Sequence, residues 1–133
     1  MEFKFTIPLE PRTKKNSARI LKNRKTGKQF VAPSKTFTDY QTDCGWFIAT
    51  PEKPINEPVN VKALYYMGTH RKVDLINLHS ALHDILVHYG VVVDDNSKII
   101  AATDGSRVLY DKDKPRTEVV ITRMEEFLNE SFQ

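Results

Sequence analysis

The chain has 133 residues and a formal net charge of +3, with 40% hydrophobic and 28% charged residues. This length suits one domain that buries a core without disulfides or a structural metal, and the composition excludes a disordered chain. The single cysteine, Cys44, excludes an internal disulfide and a zinc site built from cysteines. No apolar run reaches membrane-spanning length, and residues 1–11 lack the layout of a signal peptide, so we expect a cytoplasmic protein.

The first half of the chain predicts a strand, a basic hairpin and a helix. Residues 2–7 alternate apolar and polar side chains, as in a half-buried strand. Two short apolar pieces within residues 12–32 flank Gly27, which suits a turn, so this stretch is predicted to form a basic arm or hairpin. Ser34 is a candidate N-cap for a helix over residues 35–48, where apolar side chains recur at helical spacing.

The second half predicts the longest regular elements. Residues 59–67 favour a strand, and residues 75–88 carry one apolar stripe typical of a helix that Gly90 ends. The remaining predicted elements are short strands over residues 91–93 and 99–101, a turn over 104–107, a strand over 117–123 and a helix over 124–132. Strands and helices mix without strict alternation, so we expect a single α+β domain over residues 1–133, with helices packed on a mixed β-sheet.

Positive charge is concentrated near the start of the chain. Residues 11–38 hold nine Lys or Arg and no Asp or Glu, whereas the acidic residues lie mainly beyond residue 74. Such asymmetry is expected of a segment that meets a polyanion, and the alternative is a solvated basic loop. The candidates for contacts with nucleic-acid phosphates are Lys14, Lys15, Arg19, Arg24 and Lys25.

Carboxylates gather later in the chain. Asp74 lies at the predicted start of the second helix, and Asn77 and Asp84 can share the polar face of that helix. Asp94 and Asp95 follow a predicted buried strand, and a strand end beside a helix start brings carboxylates together. Such a cluster favours a hard divalent cation, which supports phosphodiester cleavage. The alternative is that Asp74 only caps the helix and that the Asp94–Asp95 pair only occupies a turn.

Two histidines stand four residues apart on the same helix. The spacing of His79 and His83 can bind zinc, but the pattern of a metalloprotease helix is absent. We therefore expect a solvated or dimer-facing pair. No glycine-rich phosphate loop and no serine-hydrolase motif occurs, so the sequence does not support a nucleotide-cofactor enzyme or a serine hydrolase.

The acidic segment has the residue order of a known nuclease family. The matching residues are Arg71, Asp74, Asn77, Leu78, Asp84, Asp94 and Asp95. Residues 7–16 look like the family's opening strand and Pro-rich basic loop, and residues 104–108 and 114–122 look like its closing segments. Over nearly its whole length the sequence resembles the RusA family of Holliday junction resolvases.

Two positions depart from the pattern of that family. Ile76 stands where the family usually has its second catalytic Asp, and Ser80 stands where it usually has a Lys. Asp84 is a candidate to take over part of the missing carboxylate's role. The departures leave two functions open: a working nuclease, or a weakened nuclease that binds branched DNA.

The resemblance implies a Mg²⁺-dependent endodeoxyribonuclease, with Mn²⁺ as a possible metal, that nicks four-way junctions or other branched DNA. It also implies a homodimer, encoded by a phage or prophage and acting in the cytoplasm of a bacterial cell. Asp74 and Asp95 would hold the metal, and Asp94 would be a further catalytic residue. The supporting residues would be Asn77, Asp84, Lys72 and Arg71. The remaining alternative, a generic DNA- or RNA-binding module, lacks the aromatic motif expected on a strand.

Overall fold

A computed structural model describes residues 2–14, 19–32 and 34–131 of the chain. Its elements in chain order are β1 (Glu2–Ile7), β2 (Arg19–Lys22), β3 (Gln29–Ala32), α1 (Lys35–Cys44), β4 (Val59–Met67), α2 (Leu75–His88), β5 (Ile100–Ala102), β6 (Arg107–Tyr110), β7 (Arg116–Arg123) and α3 (Met124–Ser131). Among these helices none is both long enough and apolar enough to cross a membrane.

The main sheet is mixed and is built around β4 and β7. Its strand order is β1-β7-β4-β5, and β6 also pairs with β4. β7 runs antiparallel to both β1 and β4, whereas β5 and β6 pair with β4 in parallel. The register opposes Phe5 to Val119 and Val119 to Ala63, so apolar side chains of three strands fall on the same face. The α+β fold expected from the sequence is confirmed.

The hydrophobic core joins that face of the sheet to helices α1 and α2. The buried cluster includes Phe37 and Cys44 of α1 together with Ile7, Val61 and Ile121 of the sheet. From α2 it takes Leu78, Ala81, Leu82, Ile85 and Leu86, which form the stripe predicted from the helical spacing. Because this stripe faces the sheet, the opposite face of α2 stays available for polar chemistry.

Both ends of α1 are held by specific contacts. The Phe37 backbone N–H donates to Ser34 Oγ at 3.1 Å, so Ser34 is the N-cap that the sequence predicts. At the other end the hydroxyl of Tyr89 donates to the Gln41 carbonyl at 2.6 Å. A Cβ on Gly45 would lie 2.8 Å from the Tyr89 ring, so only glycine permits this close contact. The helix therefore ends at Cys44, earlier than the predicted residue 48.

Strands β2 and β3 form a hairpin over residues 19–32, within the stretch 12–32 where the sequence predicts a basic arm or hairpin. These strands form a separate two-stranded sheet with Ile20 opposite Val31. Ile20 is 69% exposed and Val31 is 73% exposed. The turn between the strands runs from Asn23 to Lys28 and uses Gly27 at φ +71°.

Three short segments differ from the prediction. Residues 91–93 do not form a strand: Val92 makes one isolated parallel bridge to Ile55, and the Val91 N–H is bonded to the end of α2 instead. Strand β5 begins one residue later than predicted. Strand β6 was not predicted, because Val108 and Tyr110 are exposed and leave no alternating pattern. The last predicted residue of the terminal helix, Phe132, lies outside the described residues.

Candidate active site

Asp74 lies at the start of α2, where the loop after β4 meets the helix. Its backbone is extended, with φ −85° and ψ 126°, as at an N-cap, but its side chain makes no capping hydrogen bond. The amide of Asn77 instead donates to Asp74 Oδ2 at 3.2 Å. Asp74 therefore occupies the N-cap position with an exposed side chain that does not cap the helix.

Asp94 and Asp95 occupy an exposed loop after α2, and their environments differ. Asp94 Oδ1 accepts from the Asp95 backbone N–H at 2.7 Å, and Asp94 Oδ2 accepts from the Asn96 amide at 3.0 Å. The Asp95 N–H, followed by the Asn96 amide, lowers the pKa of Asp94. Both oxygens of Asp94 thus hold the loop together, which leaves the Asp95 carboxylate as the one with fewer fixed contacts.

Neighbouring negative charge acts on Asp95. Partial burial raises the pKa of Asp95, and a hydrogen bond with Asp94 and the charges of Asp84 and Asp94 raise it further. A carboxylate that its neighbours destabilise gains most from a cation. Asp84 is thus close enough to Asp95 for its charge to act on the Asp95 carboxylate.

Asp84 is half-buried on α2 and forms an ion pair with Lys14. The two residues are far apart in the sequence, so this contact ties the N-terminal basic segment to the acidic face of α2. The predicted contact of Lys14 with DNA stays a prediction, and in the structure its ammonium neutralises Asp84.

The other predicted cations lie in loops and in the hairpin. Arg71 and Lys72 are exposed in the loop just before Asp74, and Arg24 and Lys25 are exposed in the β2–β3 turn. Arg19 belongs to β2, but the structure does not describe its side chain. The remaining predicted phosphate contact, Lys15, lies outside the described residues.

Over residues 2–14, 19–32 and 34–131, no group of three or more His, Cys, Asp or Glu could hold a metal ion. The two carboxylates that the sequence predicts as metal ligands, Asp74 and Asp95, are both exposed. Hard cations such as Mg²⁺ are commonly bound through one or two carboxylates, with water and substrate phosphate completing the shell. The donor chemistry therefore fits Mg²⁺ or Mn²⁺ and not a thiolate- or imidazole-bound metal.

The Nε2 atoms of the histidine pair are buried, so the expectation of a solvated pair is wrong, whereas the dimer-facing alternative stays a prediction. The rings of His79 and His83 stack with centroids 5.5 Å apart, and Nδ1 of His79 lies 2.7 Å from the hydroxyl of Tyr65. Burial raises the pKa of Tyr65, so the phenol stays protonated and shares this hydrogen bond with His79. Both Nε2 atoms are buried and lack a hydrogen-bond partner among the described residues. The helical spacing identifies the pair, but only the fold shows that Tyr65 joins it.

The two departures from the family pattern are on the surface of α2. Ile76 is 80% exposed and Ser80 is also exposed. An exposed isoleucine in the first turn of a helix is not explained by packing. The position is therefore open to a charged side chain without a rearrangement of the core.

Comparison with known proteins agrees with this geometry. No curated protein sequence matches the chain. A family model described as Endodeoxyribonuclease RusA matches residues 8–122, which include both helices of the core and the acidic positions discussed above. This match covers most of the chain, and the protein therefore belongs to the RusA endodeoxyribonuclease family.

Proposed function

We propose that this protein is a divalent-metal-dependent endodeoxyribonuclease that nicks four-way junctions and other branched DNA. The family is a nuclease family that acts on Holliday junctions. The observation that carries the proposal is Asp74, an N-cap carboxylate that does not cap its helix and that Asn77 holds at the surface. A bacterial cytoplasm is the compartment that this substrate implies.

Each residue of the candidate site has a distinct task in this proposal. Asp74 and Asp95 bind Mg²⁺ or Mn²⁺, which when bound supplies charge stabilisation and an activated water for phosphodiester hydrolysis. Asn77 orients Asp74 through the hydrogen bond at 3.2 Å. Asp94 shapes the loop that presents Asp95. The Lys14–Asp84 ion pair limits the negative charge beside the site.

Cations next to Asp74 complete the site on the DNA side. Arg71 and Lys72 lie three and two residues before Asp74 and are exposed, so they can neutralise the scissile phosphate. The β2–β3 turn, with Arg24 and Lys25, would contact backbone phosphates at a distance from the chemistry. Two symmetric nicks in a junction require two sites related by a two-fold axis, so we propose that the chain acts as a homodimer.

The direct test replaces each proposed metal ligand with its amide. Asp74→Asn and Asp95→Asn should each reduce nicking of a synthetic four-way junction by more than about 100-fold, beyond the loss typical of outer-shell partners. Junction affinity measured in EDTA should be unchanged or higher, because the change removes negative charge near phosphates.

The matched control is Asp104→Asn, an exposed aspartate in the turn between β5 and β6. It should leave both nicking and binding unchanged. Full nicking activity in either the Asp74 or the Asp95 variant would remove that residue from the metal site.

A second candidate is a branched-DNA-binding protein with little nuclease activity. It is favoured by Ile76 and Ser80, which stand where the family usually has an Asp and a Lys. The same assay decides between the two functions, since tight junction binding in EDTA with no nicking in Mg²⁺ or Mn²⁺ would support the second.

A further inference from the structure

A cavity of about 630 Å³ lies beside the candidate site. Its walls come from residues 10–13, the start of α1, the loop after β4, and the segment that joins β6 to β7. Val73 lines the cavity and directly precedes Asp74 in the sequence. The volume is in the range of pockets that enclose a small organic ligand.

The charge on the cavity wall is strongly positive. Four cationic side chains line it: Arg12, Arg71, Lys72 and Lys112. The single acidic residue of the lining is Glu10, and its Oε2 already accepts from the Gly68 backbone N–H at 2.7 Å. The wall thus presents cations without a free carboxylate to repel an anion.

The rest of the lining combines apolar side chains with the hydroxyl groups of Thr13, Ser34, Thr36 and Thr69. Pro11, Met67 and Pro115 contribute nonpolar surface, and Pro11 and Met67 are themselves buried. A Cβ on Gly68 would lie 2.6 Å from Glu10 Oε2 and 2.9 Å from Pro115 Cγ, so the loop is fitted tightly against the wall. This nonpolar surface would not contribute to binding a phosphate ion, whereas it can pack against the base and sugar of a nucleotide.

We infer that this cavity receives one unpaired nucleotide of the DNA, with its phosphate on the cations and its base on the apolar floor. The inference rests on the proposed function, since the DNA strand that enters the cavity is the one presented to Asp74. A base in an intact duplex cannot reach such a cavity without unstacking, and that cost is least at a position that is already unpaired. Branch points supply such nucleotides, so the cavity would favour branched DNA over perfect duplex.

The test compares two DNA duplexes of one sequence, of which one carries a single bulged nucleotide, in EDTA so that no cleavage occurs. The wild-type protein should bind the bulged duplex about tenfold more tightly, as base contacts of ordinary strength allow. The double variant Arg12→Ala/Lys112→Ala should lose this preference. The control Lys4→Ala/Lys53→Ala removes the same charge from exposed positions outside the cavity and should keep it.

A second variant tests whether the cavity binds a whole nucleotide or only its phosphate. Thr69 is exposed and lines the cavity, so Thr69→Trp should fill it while all four cations remain. This variant should also lose the preference for the bulged duplex. If it keeps the preference, the cavity does not hold the base and the inference is overturned.

Photo-crosslinking locates the nucleotide directly. With 5-iodo-deoxyuridine as the bulged nucleotide, the cross-link should fall in residues 66–73 or 112–115. A cross-link confined to the β2–β3 hairpin, or equal wild-type affinity for the bulged and the perfect duplex, would overturn the inference while leaving junction nicking intact. If the wild-type protein prefers the bulged duplex but does not nick junctions, the result would count against the nuclease proposal alone.

Discussion

The exposure of Ile76 decides whether the substitution Ile76→Asp destabilises the protein or changes only its activity. Because its side chain is 80% exposed in the first turn of α2, Ile76→Asp places a carboxylate in water and near the helix N-terminus. The free energy of unfolding should change by no more than about 0.5 kcal/mol, as for most surface substitutions. Nicking should rise when Ser80→Lys is added. Thermal melting and the junction assay measure the two effects.

The melting result and the nicking result have separate meanings. A large fall in melting temperature would contradict the exposed position of Ile76. A stable double variant with no gain in nicking would show that the natural site is complete without the family's usual Asp and Lys.

His83 predicts a pH dependence of stability. Burial, and then the charge of His79, lower the pKa of His83 to about 4 from the usual 6.5. Between these values the unfolded chain binds a proton that the folded protein does not, so the free energy of unfolding falls as pH falls from 6.5 toward 4. The loss should be on the order of 2–3 kcal/mol. His83→Phe keeps a ring beside His79 and should melt with a weaker pH dependence.

The measurement for His83 is the difference between two melting curves. Wild type and His83→Phe should be melted at pH 7 and pH 4.5 in matched salt. All other titrating groups are common to both proteins, so their contribution cancels. Parallel pH profiles would show that His83 keeps an ordinary pKa in the folded state.

At the scale of elements, the β2–β3 hairpin stands apart because it forms a two-stranded sheet separate from the main sheet. A two-stranded sheet is at best marginally stable alone, and the cross-strand pair Ile20–Val31 stays largely exposed. The cations Arg24 and Lys25 lie in its turn. This combination is typical of an element that binds a partner, and the charge points to DNA.

The hairpin should therefore set part of the salt dependence of DNA binding. Arg24→Ala/Lys25→Ala should lower affinity for duplex and junction alike and reduce the slope of log K against log salt by about one to two units, since each phosphate contact contributes about 0.9. Lys4→Ala/Lys53→Ala, with the same loss of charge elsewhere, should leave the slope unchanged. An unchanged slope in the hairpin variant would place the DNA surface on another element.

At the scale of the whole molecule, metal binding should appear as added stability. An ion that binds only the folded chain raises the free energy of unfolding, by about 1.4 kcal/mol at ten times its dissociation constant. For a domain of this size that corresponds to about 4 °C in melting temperature. The wild type should show this shift in Mg²⁺, and Asp74→Asn/Asp95→Asn should not.

The control for this experiment holds ionic strength constant with NaCl and includes Asp104→Asn, which should behave as the wild type does. An equal shift in the double Asp variant would mean that Mg²⁺ binds elsewhere on the chain. Because the readout is melting, the result does not depend on any nuclease assay.

Local sequence determined those parts of the protein that depend on near neighbours. The stripe of α2, the alternation of β1 and β4, the Ser34 cap and the Gly27 turn all follow from side chains within a few residues of one another. The acidic residues and the basic segment are also visible in the sequence, because residue type and spacing alone define them.

The tertiary structure decided what depends on contacts between distant residues. β5 and β6 become strands by pairing with β4, and the buried Asn60 side chain fixes their turn through both the N–H and the carbonyl of Asp104. The pairing of Lys14 with Asp84, and of Glu10 with Gly68, joins segments separated by more than 50 residues. No local pattern encodes such contacts, because each partner alone is compatible with many surroundings, and their free energy is gained only when the chain has folded.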